Sequence, residues 1–214
     1  MPHYSAILGS HPIISDQIKQ PALSVVLREL EQVLVNRVDG DVVEFGCYIG
    51  TTTLFARRVL DELGESGNRQ LHVYDSFAGL PEKTAADSSG VGLQFQGGEL
   101  AVSKKQFLQE FKRAHLLPPI VHKAWFKDLK QQDVPQTIAF AFLDGDFYES
   151  IMTSLQLVWS RLSPEGVITI DDYQREALPG PARAVRDFCQ NKRVTIHHEH
   201  NIGILKAANV TIIR

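Results

Sequence analysis

Two short acidic segments carry the strongest chemical signal in the chain. Residues 143–149 read Leu-Asp-Gly-Asp-Phe-Tyr-Glu and residues 170–173 read Ile-Asp-Asp-Tyr, each at the end of an apolar run. If the two runs are neighbouring strands, Asp144, Asp146, Glu149, Asp171 and Asp172 gather at one edge of a sheet. Crowded carboxylates repel one another and call for a compensating positive charge. A hard divalent cation supplies it. Oxygen-only ligands suit Mg²⁺ or Ca²⁺, whereas zinc favours histidine or cysteine. Asp144, Asp171 and Asp172 are therefore the expected metal ligands. The alternative, in which each Asp caps the following helix, suits one such residue better than three at adjacent strand ends.

A second constellation lies upstream. The run 41–46, DVVEFG, leads into Cys47-Tyr48-Ile49-Gly50-Thr51, a turn whose glycines let the backbone approach a ligand before a helix begins. Gly46 and Gly50 are too widely spaced for the GxGxxG of a dinucleotide site. About thirty residues on, the run 71–75 ends in Asp75, where a carboxylate can accept hydrogen bonds from two ribose hydroxyls. The pair implies a nucleoside ligand. The competing reading has Gly46 as a strand terminator and Asp75 as a cap.

The elements that must position these residues follow from periodicity. Leu23, Val26, Leu27, Leu30, Val33 and Leu34 recur at helical steps, predicting an amphipathic helix before the first strand. Strands are expected at 41–46, 71–75, 119–125, 138–144 and 167–173. Helices are expected at 51–63, near 103–114, at 148–162 and at 181–192, with a Pro-Glu-Gly turn at 164–166. Such alternation, with almost wholly apolar strands, predicts an open parallel α/β sheet covered on both faces. In 193–207, two strand-like runs are separated by only a few polar residues. A parallel crossover needs a dozen or more, so these last two strands must be antiparallel. The first twenty or so residues, with Pro2, Pro12 and Pro21 and no period, read as a mobile or substrate-covering arm. Residues 1–40 thus form an arm and helix, and 41–214 the body of a single domain.

Composition narrows the function classes. The chain has 214 residues, 43% hydrophobic and 22% charged, which fits one globular domain. A net charge of −3 with scattered basic residues argues against nucleic acid as a partner. No stretch approaches the roughly 18 apolar residues of a membrane span, and the first residues lack a signal-peptide layout. The expectation is a cytoplasmic protein. Cys47 and Cys189 are too few for a disulfide framework and lack zinc-site spacing, so both read as reduced packing residues. Oligomeric state is left open, a homo-oligomer included.

Five segments, in order, carry a family resemblance: VVEFGCYIGTTT, VYDSFAGLP, KAWFKDL, FLDGDFYESIMTSL and GVITIDDY. Together they resemble the macrocin and mycinamicin type of sugar O-methyltransferase, within the class I S-adenosylmethionine-dependent methyltransferases, from about Asp41 to Lys206. The resemblance implies a Rossmann-like, seven-stranded, mostly parallel sheet ending in an antiparallel hairpin. It also implies Mg²⁺-dependent methyl transfer to a hydroxyl of a sugar or other polyol. By similarity, Glu44, Gly46, Gly50 and the adjoining Thr51 become the methionine-side loop. Asp75 and Ser76 become the ribose contact, Trp125 and Phe126 the adenine side, Asp144 a cofactor-side residue, and Asp144, Asp171 and Asp172 the metal ligands. Ala124 stands where the family usually has glycine. Only about forty residues precede the first strand, which implies a reduced cap over the acceptor.

The sulfonium carbon is already electrophilic, so the protein's tasks are to align an acceptor oxygen and to remove its proton. Catechol methyltransferases carry a lysine three residues after the first metal Asp, where this chain has Phe147. Asp146 is the expected replacement base, with Asp144 beside it in the catalytic set. His197, His198 and His200 read as surface or packing residues, and His11 has no supporting pattern. Three rivals carry weight: a non-catalytic adenosylmethionine- or nucleotide-binding protein of the same fold, a catechol-type O-methyltransferase, and a dehydrogenase, which the missing GxGxxG disfavours.

Overall fold

The structure, a computed structural model, describes residues 2–91, 95–190, 192 and 194–207. Thirteen main elements follow in order: α1 (His3–Ser10), α2 (Gln20–Val35), β1 (Asp41–Phe45), α3 (Thr51–Glu62), β2 (Leu71–Asp75), α4 (Lys104–Arg113), β3 (Ile120–Lys123), β4 (Ile138–Leu143), α5 (Tyr148–Trp159), β5 (Leu162–Ile170), α6 (Gly180–Cys189), β6 (Val194–Glu199) and β7 (Ile202–Ala207). They build one seven-stranded sheet in the order β3-β2-β1-β4-β5-β7-β6. The first five strands pair in parallel, and β7 is antiparallel to both β5 and β6. The expected parallel sheet and antiparallel ending are both present.

Alternation along the central strands explains the three layers. Val42, Phe140 and Phe142 face α1, α2 and α3, where Leu23, Leu27, Leu30 and Val59 bury. Val43, Ala141 and Leu143 face α5 and α6, where Ile151, Leu155, Val158 and Val185 bury. All six residues of β4 are buried, as a strand covered on both faces requires. Burial of each large apolar side chain contributes roughly 1.5–3 kcal/mol. The hydrophobic periodicity of α2 is borne out, since Leu23, Val26, Leu27, Leu30, Val33 and Leu34 are all buried.

The N-terminal arm differs from expectation. Residues 3–10 form α1, and Ile7 and Leu8 pack into the core with Ile18, so this stretch is docked rather than loose. Its short helix lacks an amphipathic period because only two of its residues, Ile7 and Leu8, are buried. The fifth strand also begins earlier than expected, at Leu162. Pro164, Glu165 and Gly166 bulge from its ladder, Ile138 pairing with Leu162 and Phe140 with Val167. Glu165 takes a left-handed φ of 65° there, so the turn chemistry survives inside the strand.

Candidate functional site

The sheet reverses direction of growth between β1 and β4, and ligands of open α/β sheets bind beyond the carboxyl ends at such a switch. Backbone bonds carry the ladders one residue past the strands. The Gly46 N–H donates to Tyr74 O (2.9 Å), Asp144 N–H to Phe45 O (2.8 Å) and Asp171 N–H to Leu143 O (2.9 Å). Gly46, Asp144 and Asp171 are thereby set side by side. Above them opens a cavity of about 770 Å³, lined among others by Gly46, Asp75, Ser76, Trp125, Phe126 and four aspartates, Asp144, Asp146, Asp171 and Asp172.

The Asp75 side of the cavity is built by loops. Asp75 Oδ2 accepts from the Cys47 N–H (2.9 Å) and the Tyr48 N–H (3.4 Å), and Oδ1 from the Phe77 N–H (2.7 Å). These bonds lock the loop after β1 to the end of β2 and leave an acceptor site on Oδ1, since a carboxylate offers about four and three are taken. Phe126 packs edge-on against Phe45, centroids 5.3 Å apart. The long loop after β2 is pinned at Asp87, which is 1% exposed and accepts from Tyr148 N–H (2.6 Å) and Thr84 N–H (3.0 Å). That anchor sets the loop residues Leu80, Pro81 and Leu100 in the cavity wall.

The acidic wall is under strong electrostatic stress. Burial, then repulsion from Asp171, Asp146, Asp172 and Glu44, pushes Asp144 well above the usual carboxylate range. Burial, followed by Asp172 and Asp171, does the same to Asp146. Asp171 and Asp172 are also raised, mainly by burial, although Arg175 and an Asn201 hydrogen bond oppose the rise at Asp172. Asp146 and Asp172 hold left-handed backbones, φ 58° and 52°, a conformation Asp tolerates better than most residues. The donor set is oxygen-only and short of positive charge, which fits a hard divalent cation. As they stand, no three His, Cys, Asp or Glu among the described residues are close enough to hold one. Asp172 is turned to other partners: Arg175 Nη1 lies 3.2 and 3.4 Å from its two oxygens, and Asn201 Nδ2 donates at 3.1 Å.

A second, wider cavity of about 1,490 Å³, open to solvent, adjoins the first. Residues Asp16 to Lys19, Pro21 and Ala22 form one side, and Phe95, Glu99, His200 and Asn201 the others. Gln17, Leu100, Asp171, Asp172 and Arg175 line both cavities, so the two meet at the acidic wall.

This geometry can be set beside known proteins. The family model for macrocin O-methyltransferase (TylF) matches residues 18–202. The chain belongs to the macrocin O-methyltransferase family. Among curated relatives of the family, it is 39% identical over 165 residues to the 8-demethyl-8-(2,3-dimethoxy-alpha-L-rhamnosyl)-tetracenomycin-C 4'-O-methyltransferase of Streptomyces olivaceus, covering 74% of this chain and 61% of that one. It is 31% identical over 166 residues to the mycinamicin III 3''-O-methyltransferase of Micromonospora griseorubida, covering 74% and 64%. The chain thus spans about three fifths of the length of these relatives. The solved O-methyltransferase NovP superposes with a TM-score of 0.75 at 27% identity, covering 87% of this chain and 79% of NovP. The calicheamicin methyltransferase CalS11 superposes at 0.73 with 17% identity over 95% and 89%, a likeness of fold. The fold is the Rossmann-like one of class I methyltransferases.

Within this member of the family, the structure brings most of the expected site residues together and leaves three aside. Gly46, Asp75, Ser76, Trp125, Phe126, Asp144, Asp146, Asp171 and Asp172 line the inner cavity. Glu44, Gly50 and Thr51 do not. Glu44 is buried behind the loop, where desolvation, with Asp75 adding repulsion, raises its carboxyl to about 8. Gly50, at φ 95°, caps α3, and a Cβ there would come within 2.8 Å of the Phe107 ring. Thr51 is buried in the first turn of α3, its Oγ1 without a hydrogen-bond partner. Gly46 is needed for a different close approach than a ligand's: at φ 86°, its Cβ would meet the Asp144 carbonyl oxygen at 1.9 Å. Glu149 is exposed on α5 and does not join the other acids. Three contributors carry no sequence pattern. Gln17 comes from the docked arm, Arg175 from the loop after β5, and Asn201 from a two-residue hairpin turn in which His200 (φ 47°) and Asn201 (φ 73°) are both left-handed, as a type I′ turn demands.

Proposed function

We propose that the chain transfers a methyl group from S-adenosylmethionine to a hydroxyl of a sugar, polyol or other small vicinal diol, in secondary metabolism, with a divalent cation such as Mg²⁺ at the acidic wall. The observation that carries this reading is the meeting of two cavities at Asp171 and Asp172, one with a nucleoside-type wall and one wide and open. The inner cavity takes the cofactor, Asp75 and Ser76 at the ribose and Trp125 and Phe126 beside the adenine. The name of the Streptomyces olivaceus relative, whose acceptor bears a rhamnosyl group, supports a glycosidic acceptor. Residues 1–40 contribute one side of the outer cavity, through Asp16 to Lys19, Pro21 and Ala22, and residues 41–214 form the transferase body.

Asp144, Asp171 and Asp172 would hold the cation. When bound, it supplies the positive charge that lowers the pKa of a chelated hydroxyl. The chain's own residues do the rest. The cavity walls align the acceptor oxygen with the methyl carbon opposite sulfur. The oxygen forms a bond to that carbon as the carbon–sulfur bond breaks, leaving S-adenosylhomocysteine. The hydroxyl proton passes to the Asp146 carboxylate, which lines the same cavity.

Calorimetric titration with S-adenosylmethionine, S-adenosylhomocysteine and NAD tests the cofactor assignment. Binding of the first two and not of NAD is expected; preference for NAD overturns it.

A further inference from the structure

Arg175 stands where the proposed chemistry needs a cation. Among the described residues it is the one cationic side chain lining the inner cavity, against five aspartates. It also lines the outer cavity, at the junction of the two. Its hold on Asp172 is of a weak kind. One nitrogen, Nη1, straddles both carboxylate oxygens at 3.2 and 3.4 Å, instead of the two parallel bonds of about 2.7–2.9 Å that Arg forms when it engages a carboxylate fully. The guanidinium rests on the Phe95 ring, 4.7 Å from its centroid. The Arg175 side chain is 37% exposed and that of Asp172 10%, so the arginine can leave into water while the aspartate stays in place. Asn201, bonded to Asp172 Oδ1 at 3.1 Å, keeps the carboxylate oriented when it does. The Arg175 backbone N–H is bound to Asp172 O at 3.2 Å, so departure takes only a side-chain rotation.

We infer that Arg175 is the resident counter-ion of the acidic wall, and that a divalent cation takes its place at Asp172. The inference rests on the metal reading given above. A guanidinium and a dication on one carboxylate repel each other, so the two occupy Asp172 in turn. The exchange couples two events: the ligand set is completed as Asp172 is freed, and the guanidinium vacates the junction through which an acceptor oxygen reaches the methyl group. Arg175 thereby sets the affinity of the site for its ion and guards it when the ion is absent.

Mn²⁺ binding, measured by calorimetry or by loss of its free-ion paramagnetic resonance signal without cofactor or acceptor, tests this directly. Arg175→Met keeps the length and the contact with Phe95 and removes the charge; Arg175→Lys retains a charge. Removing a like charge a few ångströms away is worth about tenfold or more in affinity. Arg175→Met is therefore expected to bind Mn²⁺ at least about tenfold more tightly than the native protein, with Arg175→Lys between the two. A merely structural role for Arg175 would weaken binding instead. Equal or weaker binding by Arg175→Met, with the native protein still binding, overturns the exchange and leaves the metal reading standing. No Mn²⁺ binding by any of the three overturns the metal reading and the exchange with it.

Discussion

Glu44 makes a quantitative test of how the sheet edge is built. Its carboxyl is 3% exposed on β1 and is raised from 4.5 to about 8, chiefly by burial. A raised acid binds its proton more tightly folded than unfolded. Below about pH 4.5 both states are protonated and nothing is lost. As pH rises toward 8, the unfolded chain ionises first and stability falls. Each pKa unit corresponds to about 1.4 kcal/mol, so the full rise is worth roughly 5 kcal/mol. Glu44→Gln keeps the shape and removes the titration. Urea unfolding of both proteins at pH 5, 6, 7 and 8, without cofactor, measures the difference. Asp171, raised to about 7, titrates in both proteins, and its rise comes from burial and Asp172 rather than from Glu44. The variant is expected to gain on the native protein steadily with pH, reaching several kcal/mol at pH 8. Parallel stability curves would refute the argument that Glu44 is held neutral by burial.

Two further substitutions probe the proposed cofactor wall. Gly46→Ala would force a side chain into a left-handed backbone, at roughly 1–2 kcal/mol, and drive Cβ against the Asp144 carbonyl, adding about 1–3 kcal/mol. A loss of about 2–5 kcal/mol in denaturant unfolding is expected, and native stability would show that the β1 and β4 ends are not packed this closely. Asp75→Ala removes a charged acceptor worth about 1.5–3 kcal/mol per hydrogen bond. Cofactor affinity by calorimetry is expected to fall about 10- to 100-fold or more, and unchanged affinity would refute the ribose assignment.

Much of this architecture is legible in the sequence, for identifiable reasons. A six-residue, continuously apolar run such as Ile138–Leu143 is too short for a typical helix and suits a central strand, and the short spacing around His200 and Asn201 forces the antiparallel ending. Asp144 and Asp171 are legible because a strand end fixes where its next residue goes. The glycines are legible as necessary but not for the right reason: Gly46 makes room for the Asp144 carbonyl and Gly50 for Phe107. Those contacts join residues nearly a hundred and nearly sixty positions apart, beyond the reach of a local pattern. Arg175, Asn201 and Gln17 lie in loops without period, and only the tertiary fold carries them to Asp172 or the cavity walls. α1 escapes periodicity because so few of its residues are buried.

The central claim, methyl transfer at the acidic wall, is tested most directly with S-adenosylmethionine labelled at the methyl group. Labelled cofactor is offered with panels of glycosides, polyols and catechols, with Mg²⁺ and after EDTA, to the native protein and to Asp144→Ala. Label is expected to appear as a methyl ether on a diol-bearing acceptor with the native protein and Mg²⁺. Chelation or the substitution is expected to reduce it by at least about two orders of magnitude, as loss of a positioned ion should. Transfer that survives both EDTA and Asp144→Ala would contradict the account.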